Sequence, residues 1–219
     1  MKKTIFTMVF LVFGFALATS QIQDRNQDRI MLVDGDVLQI RDRDQIRLKD
    51  KLTLKDGTIL EANGEYQTKD GKKMRLQEGE CFDFNGVKYT NEYQYRQKVR
   101  NENIGLSKSN MQLQNQNRNH LTLIDGHVFQ IKNQSQERVQ KQLNLGNGVV
   151  VKPDGSYQTR NKQQLRLKEG ECLNMDGNMF QNSHTYRKMM VQKNSVTKKK
   201  NPIKKITAKN QIKKNMPAK

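Results

Sequence analysis

Residues 32–89 recur without a gap as residues 123–180. At a constant offset of 91 positions the two stretches share 22 identities in 58 pairs. LVDGDVLQI answers LIDGHVFQI, GEYQT answers GSYQT, and RLQEGEC answers RLKEGEC. Agreement of that length marks a tandem duplication. It constrains the fold strongly, because any architecture for one copy must suit the other. A copy of about 60 residues is also marginal as a core on its own; a shared core and face-to-face packing are both open to the two copies, beside two independent domains.

Glycine punctuates each copy. In the first, Gly57, Gly64, Gly71, Gly79 and Gly86 stand seven or eight residues apart, most of them after Asp or Asn. Such pairs predict two-residue hairpin turns with positive φ at both central residues. The segments between them alternate, with Leu60 and Ala62, Met74 and Leu76, and Phe82 and Phe84 each two apart. Alternation gives a strand one apolar face, whereas glycine at this frequency would weaken a helix by about 1 kcal/mol each time. The expectation is a mainly β chain built as two tandem, small antiparallel β-meander domains. The second copy keeps Gly148, Gly155, Gly170 and Gly177 but has Lys162 where the first has Gly71. The turn at Asn161 and Lys162 is therefore expected to be looser. Gly35 and Gly126 mark a further Asp-Gly turn before apolar strands ending at Ile40 and Ile131.

The flanks read differently. Lys2 and Lys3, an apolar run over residues 5–15, and small residues at Ala16, Ala18 and Ser20 make residues 1–20 a secretory signal peptide by pattern. The run is short for a span of roughly 20 residues, so an exported chain, periplasmic or secreted, is expected, with no membrane span after signal removal. Residues 28–95 and 119–186 then hold the two β domains. Residues 96–118 read as a polar linker, with a short helix around residues 93–100 compatible with it. Residues 187–219 carry 12 basic residues and no acidic one, whereas residues 21–186 carry 26 basic and 22 acidic. Most of the net charge of +18 is thus a Lys-rich tail, expected to be disordered for want of apolar surface.

The order DG-x-V, a strand, TL-x-DGT, NG-x-Y, DG and L-x-EGEC-x-x-x-NG resembles a family of small exported bacterial domains of unknown function, found singly or in tandem. The match runs from Asp34–Gly35 through Gly86 and from Asp125–Gly126 through Gly177. The copies depart from it at Lys162 and at Asn147, which replaces Asp56. The resemblance implies a β-rich exported domain and brings no catalytic residue with it.

Cys81 and Cys172 are equivalent under the duplication, and alternation points each away from its apolar neighbours Phe82 and Leu173. Three readings stay open: buried thiols, a disulfide between the copies, and a metal or redox role. Cys172, Met175, Met179 and His184, with Met189 and Met190 nearby, are donors of the type that suits copper(I), though no repeated ligand spacing joins them. Asp34, Asp36, Asp42 and Asp44 lack the order of a calcium loop. No nucleophile, phosphate-loop or metalloprotease motif is present, so a non-catalytic protein needing no cofactor is expected. Lys198, Lys199, Lys200, Lys204, Lys205, Lys213 and Lys214 suit salt-sensitive contact with anionic envelope polymers; another envelope protein is the other partner class. Without interleaved aromatics the tail has no stacking platform, and no specific nucleic acid is expected. The leading reading is an exported binding or structural protein of the envelope or exterior, with soft-metal binding as the alternative.

Overall fold

A computed structural model of the chain describes residues 29–200, with side chains over residues 29–193. In the first copy β1 (Arg29–Val33) and β2 (Asp36–Arg47) form a long hairpin. A small meander follows, of β3 (Leu52–Thr53), β4 (Ile59–Leu60), β5 (Glu65–Gln67) and β6 (Lys73–Arg75). Then come β7 (Cys81–Asp83), β8 (Lys88–Tyr89) and helix α1 (Glu92–Asn103). Helix α2 (Lys108–Asn117) joins the copies. The second copy repeats the order as β9 (Asn119–Ile124), β10 (His127–Arg138), β11 (Leu143–Asn144), β12 (Val150–Val151), β13 (Ser156–Gln158), β14 (Gln164–Arg166), β15 (Cys172–Asn174), β16 (Met179–Phe180) and α3 (Ser183–Lys200).

The mainly β, antiparallel, tandem expectation holds, but neither copy is self-contained. One eight-stranded sheet runs β16-β15-β1-β2-β10-β9-β7-β8. The first copy's hairpin therefore pairs with β15 of the second, and the second copy's hairpin pairs with β7 of the first. Strands β2 and β10 lie antiparallel at the centre, where Arg43 and Gln134 bulge from the ladder and leave Asp42 and Asn133 directly opposed. These positions are equivalent under the offset of 91, so the sheet carries a pseudo-twofold axis between them.

The two four-stranded meanders cover one face of the sheet and the helices lie on the other. Each meander packs on the other copy's hairpin. Leu145, Val149, Val151, Tyr157 and Leu167 meet Ile30, Leu32 and Val37, while Leu54, Leu60, Tyr66 and Leu76 meet Leu121, Leu123 and Val128. Contact is close enough that a Cβ on Gly64 would lie 2.7 Å from Leu123 Cδ1. The exchange gives a marginal 60-residue unit a core drawn from both copies. It also buries β1 on both faces, Ile30 and Leu32 toward the meander and Met31 and Val33 toward the helices.

The flanking segments depart from expectation in three ways. Residues 96–118, read as a linker, contain most of α1 and all of α2. Asn91 caps α1 by accepting the Gln94 N–H, and Gln94 reaches back to the Thr90 N–H. The tail expected from residue 187 instead begins as α3, with Tyr186, Arg187 and Met190 buried. Its apolar content is low, but its first turns pack on the apolar face of the sheet. The expected disorder beyond residue 200 and the signal peptide at residues 1–20 both lie outside the described residues. The turn at Lys162 is not looser: Lys162 takes φ +62°, and its two turn hydrogen bonds match those around Gly71 in length. Positive φ at both central residues occurs at Asp34–Gly35 and Asp125–Gly126. At Asp56, Asn63, Asp70 and Asn85 only the following glycine is left-handed, as in a three-residue loop with a bulge.

Candidate functional site

The repeated EGEC string clamps one copy to the other. Glu78 Oε1 and Oε2 accept the backbone N–H groups of Gly126 and Asp125, at 2.7 and 3.0 Å. Glu169 accepts those of Gly35 and Asp34, both at 2.8 Å. Each carboxylate thus closes the left-handed turn at the tip of the other copy's hairpin. A helix residue backs each clamp: Tyr93 Oη donates to Glu169, and His184 Nε2 lies 3.1 Å from Glu78. The second glutamates act locally, Glu80 accepting the Gln77 N–H and Glu171 the Lys168 N–H. The glycine between them pairs by backbone with the other hairpin, Gly79 N–H donating to Leu123 O and Gly170 N–H to Leu32 O.

The cysteines complete the motif as packing groups. Both are free and fully buried. Cys81 packs with Tyr89, Tyr95 and Val99, and Cys172 with Met31, Ile40, Tyr186 and Met190. Strands β7 and β15 stand five strand spacings apart in the sheet. At roughly 4.8 Å per spacing that is about 24 Å, far beyond the reach of about 7 Å between bridged Cα atoms. The disulfide reading therefore fails within one chain. Burial pushes the Cys172 thiol up to about 12 and Cys81 higher still, so neither is a thiolate at neutral pH.

Of the soft-metal candidates, Met189 and Met190 share the buried cluster of Cys172, and the others are dispersed. Cys172 faces the helices, Met175 packs on the opposite, meander side, Met179 is exposed, and His184 belongs to the Glu78 clamp. Among the described residues no three His, Cys, Asp or Glu side chains converge to hold a metal ion. Asp34 and Asp36 both pair with Arg100, while Asp42 is buried elsewhere. Lys198, Lys199 and Lys200 lie in α3, and Lys204, Lys205, Lys213 and Lys214 fall outside the described residues.

On the pseudo-twofold axis, between the sheet and the helices, sits a buried ionic centre. Arg29, Arg96 and Arg187 surround the carboxylates of Asp42 and Glu92, all of them less than 4% exposed in their side chains. Arg187 Nε donates to Glu92 at 2.6 Å and its Nη2 to Asp42 at 2.9 Å. Arg96 Nη2 spans Asp42 and Glu92 at 2.9 and 2.8 Å, and Arg29 also pairs with both. Burial alone pushes the Asp42 carboxyl up, but Arg29, Arg187 and Arg96 together hold it far below the usual range. Glu92 is lowered in the same way, burial opposing and the three guanidiniums prevailing. His120 is fully buried with no hydrogen bond to either ring nitrogen, its Nε2 3.7 Å from Glu92 Oε1, and desolvation holds it below its ordinary value. Arg29 and Arg96 also lie over the rings of Tyr186 and Tyr95, at 5.7 and 5.5 Å.

The centre obeys the duplication. Arg29 corresponds to His120, Asp42 to Asn133, Glu92 to Ser183 and Arg96 to Arg187. It escapes a reading of the aligned block because, apart from Asp42 and Asn133, its members lie beyond the block's ends. The signal was there: Asn91, Tyr95 and Arg96 repeat as Asn182, Tyr186 and Arg187.

A cleft of about 260 Å3 opens above the centre, also on the axis, lined in pairs by Glu78 and Glu169, Tyr93 and His184, and Glu92 and Ser183. The N-termini of α1 and α3 meet there. The model of a family described as Domain of unknown function (DUF6799) matches residues 27–87 and 118–179, together more than half of the chain. The chain belongs to that family, in two tandem copies. The two DUF6799 matches end short of α1 and α3, which supply Arg96 and Arg187 of the centre, whereas Arg29 on β1 lies within the first match. No curated protein and no solved structure matches this DUF6799 chain. Among the described residues no helix is long and apolar enough to cross a membrane.

Proposed function

We propose that this DUF6799 protein is an exported, non-catalytic binding protein of the cell envelope or exterior, holding anionic polymers through its basic C-terminal segment. Export rests on the basic, apolar and small-residue order of residues 1–20. The observation that carries the adhesive reading is α3. Its first turns are locked to the body by Tyr186, Arg187 and Met190, and residues 188–219 then hold 11 basic residues and no acidic one. A concentrated run of basic residues rooted in a folded body attracts any dense polyanion without needing a shaped pocket. A structural role for the body fits the use of its charges: the glutamates clamp hairpins and the arginines fasten helices to the sheet.

The test compares residues 21–219 with residues 21–193 for retention on immobilised heparin and on lipoteichoic acid at rising salt. The longer chain is retained at low salt and released as salt approaches 1 M, where the screening length is about 3 Å; the shorter chain passes through. Equal retention of both would move the binding surface to the β body and sink the reading.

A further inference from the structure

We infer that the buried centre binds a small monovalent anion, of halide or carboxylate type, beside Ser183, His120 and Asn133, in place of a carboxylate that the second copy lacks. In the first copy, Glu92 stands at the start of α1 and Asp42 on the central strand, and their carboxylates take up the guanidiniums. In the second copy the same two positions are Ser183 and Asn133. Both are buried, and neither carries charge.

Three guanidiniums therefore face two carboxylates, all with buried side chains. Arginine does not lose its proton there, and a buried charge without a partner is costly. The N-termini of α1 and α3 add positive potential at the same place, and only α1 has an acidic residue in its first turn. The polar atoms left without partners point to the second half of the centre. They include Arg96 Nη1, His120 Nδ1 and both amide atoms of Asn133, while His120 Nε2 lies 3.7 Å from Glu92 Oε1. Asn133 is the direct cross-strand neighbour of Asp42, so its amide stands on the same side of the sheet as that carboxylate.

The pseudo-twofold axis accounts for the location. Glu92 receives Arg29 and Arg96 of its own copy and Arg187 of the other. The equivalent place in the second copy is flanked by His120, Arg187 and, across the axis, Arg96. Arg187 is committed to Glu92, Asp42 and Gln45, which leaves His120 Nδ1 and Arg96 Nη1 as the donors. The cleft above, lined by both Glu92 and Ser183, is the route from solvent. Its rim carboxylates, Glu78 and Glu169, are already occupied by two backbone N–H groups each.

The experiment measures the unfolding temperature of residues 21–219 in sodium gluconate at constant ionic strength, titrated with chloride, bromide or acetate. Crystals grown in bromide are examined for anomalous scattering in parallel. The expected result is a saturable rise with one or more of the small anions, and a bromide peak within contact of His120, Asn133 or Ser183. Asn133→Asp and Ser183→Glu, each restoring a carboxylate, lose that rise; if one fails to fold, the other and the bromide map decide. Equal unfolding temperatures in all salts, bromide only at the surface, or an undiminished rise in the restored variants would each overturn the inference. The readout does not involve residues 194–219, so it stands or falls apart from polymer adhesion.

Discussion

Glu78 of the first copy holds the hairpin tip of the second through the N–H groups of Asp125 and Gly126, and Glu169 returns the same grip on Asp34 and Gly35. The two residues form a reciprocal lock about the pseudo-twofold axis. Glu78→Ala and Glu169→Ala are each expected to cost about 1–2 kcal/mol, since charge-assisted bonds at a partly exposed site are lost and the left-handed turn loses its acceptor. The costs add, because the sites are separate. Urea unfolding of both single variants and the double variant measures this.

Exchange of hairpins means that neither half owns a complete core. Cutting between α1 and α2 at Gly105, which is exposed and left-handed, separates residues 21–105 from residues 106–219. Each half alone is expected to lack cooperative unfolding, and the two mixed are expected to form a one-to-one complex with the circular dichroism of the intact chain. Cooperative unfolding of either half as a monomer would contradict the interlaced core.

Arg187 should behave as a core residue although the composition around it looks like a tail. It supplies the bond to Glu92 Oε2 and one of those to Asp42. Arg187→Ala is expected to destabilise by about 3–5 kcal/mol, the range for breaking a buried ion pair from one side. Lys188→Ala, at an exposed pair with Asp125, serves as the surface control and leaves the unfolding midpoint in place. Truncation after residue 182 should abolish cooperative folding, and truncation after residue 193 should preserve it.

His120 gives the fold a pH dependence above that of its carboxylates. Its folded value lies below the ordinary 6.5 because it is buried neutral, so the unfolded chain binds the proton more readily. Stability is then full above about pH 6.5 and falls as pH drops below it, by up to about 1.4 kcal/mol per pH unit. Asp42 and Glu92, lowered by their arginines, add loss only at pH below about 4. His120→Gln should flatten the profile between pH 5 and 7 while leaving the acid limb. Denaturant midpoints across that range check it.

Lys162 occupies a left-handed position that Gly71 fills in the first copy. Lys162→Gly is expected to stabilise by about 1 kcal/mol, the strain of a side chain at positive φ, less the entropy glycine adds to the unfolded chain. Thermal unfolding of the variant measures it.

Much of the body was legible locally. The period of two in Phe82 and Phe84 assigned strands, and it correctly set Cys81 and Cys172 on the face away from Phe82 and Leu173. The glycine spacing located the turns. Lys162 was misread because the surrounding hydrogen bonds, at 2.9 Å in both copies, outweigh a turn residue's preference. The linker and tail were misread for a related reason. Segments rich in Asn, Gln and Lys have little apolar surface of their own, and α1 and α3 are ordered by Tyr95, Val99, Tyr186 and Met190 packing on the sheet.

By itself the sequence determined the duplication, the strand faces, the turn positions and the concentration of charge at the C-terminus. Each follows from interactions between residues a few positions apart. The tertiary structure alone decided which copy's strand each hairpin joins, that Glu78 and Glu169 lock the opposite turns, and that Arg29, Asp42, Glu92, Arg96, His120 and Arg187 converge on one axis. Two equal copies offer chemically equivalent partners for every strand, and choosing between them depends on the pairing of β2 with β10 and on the surface buried across both copies. That choice is a property of the whole sheet and leaves no local mark in the chain.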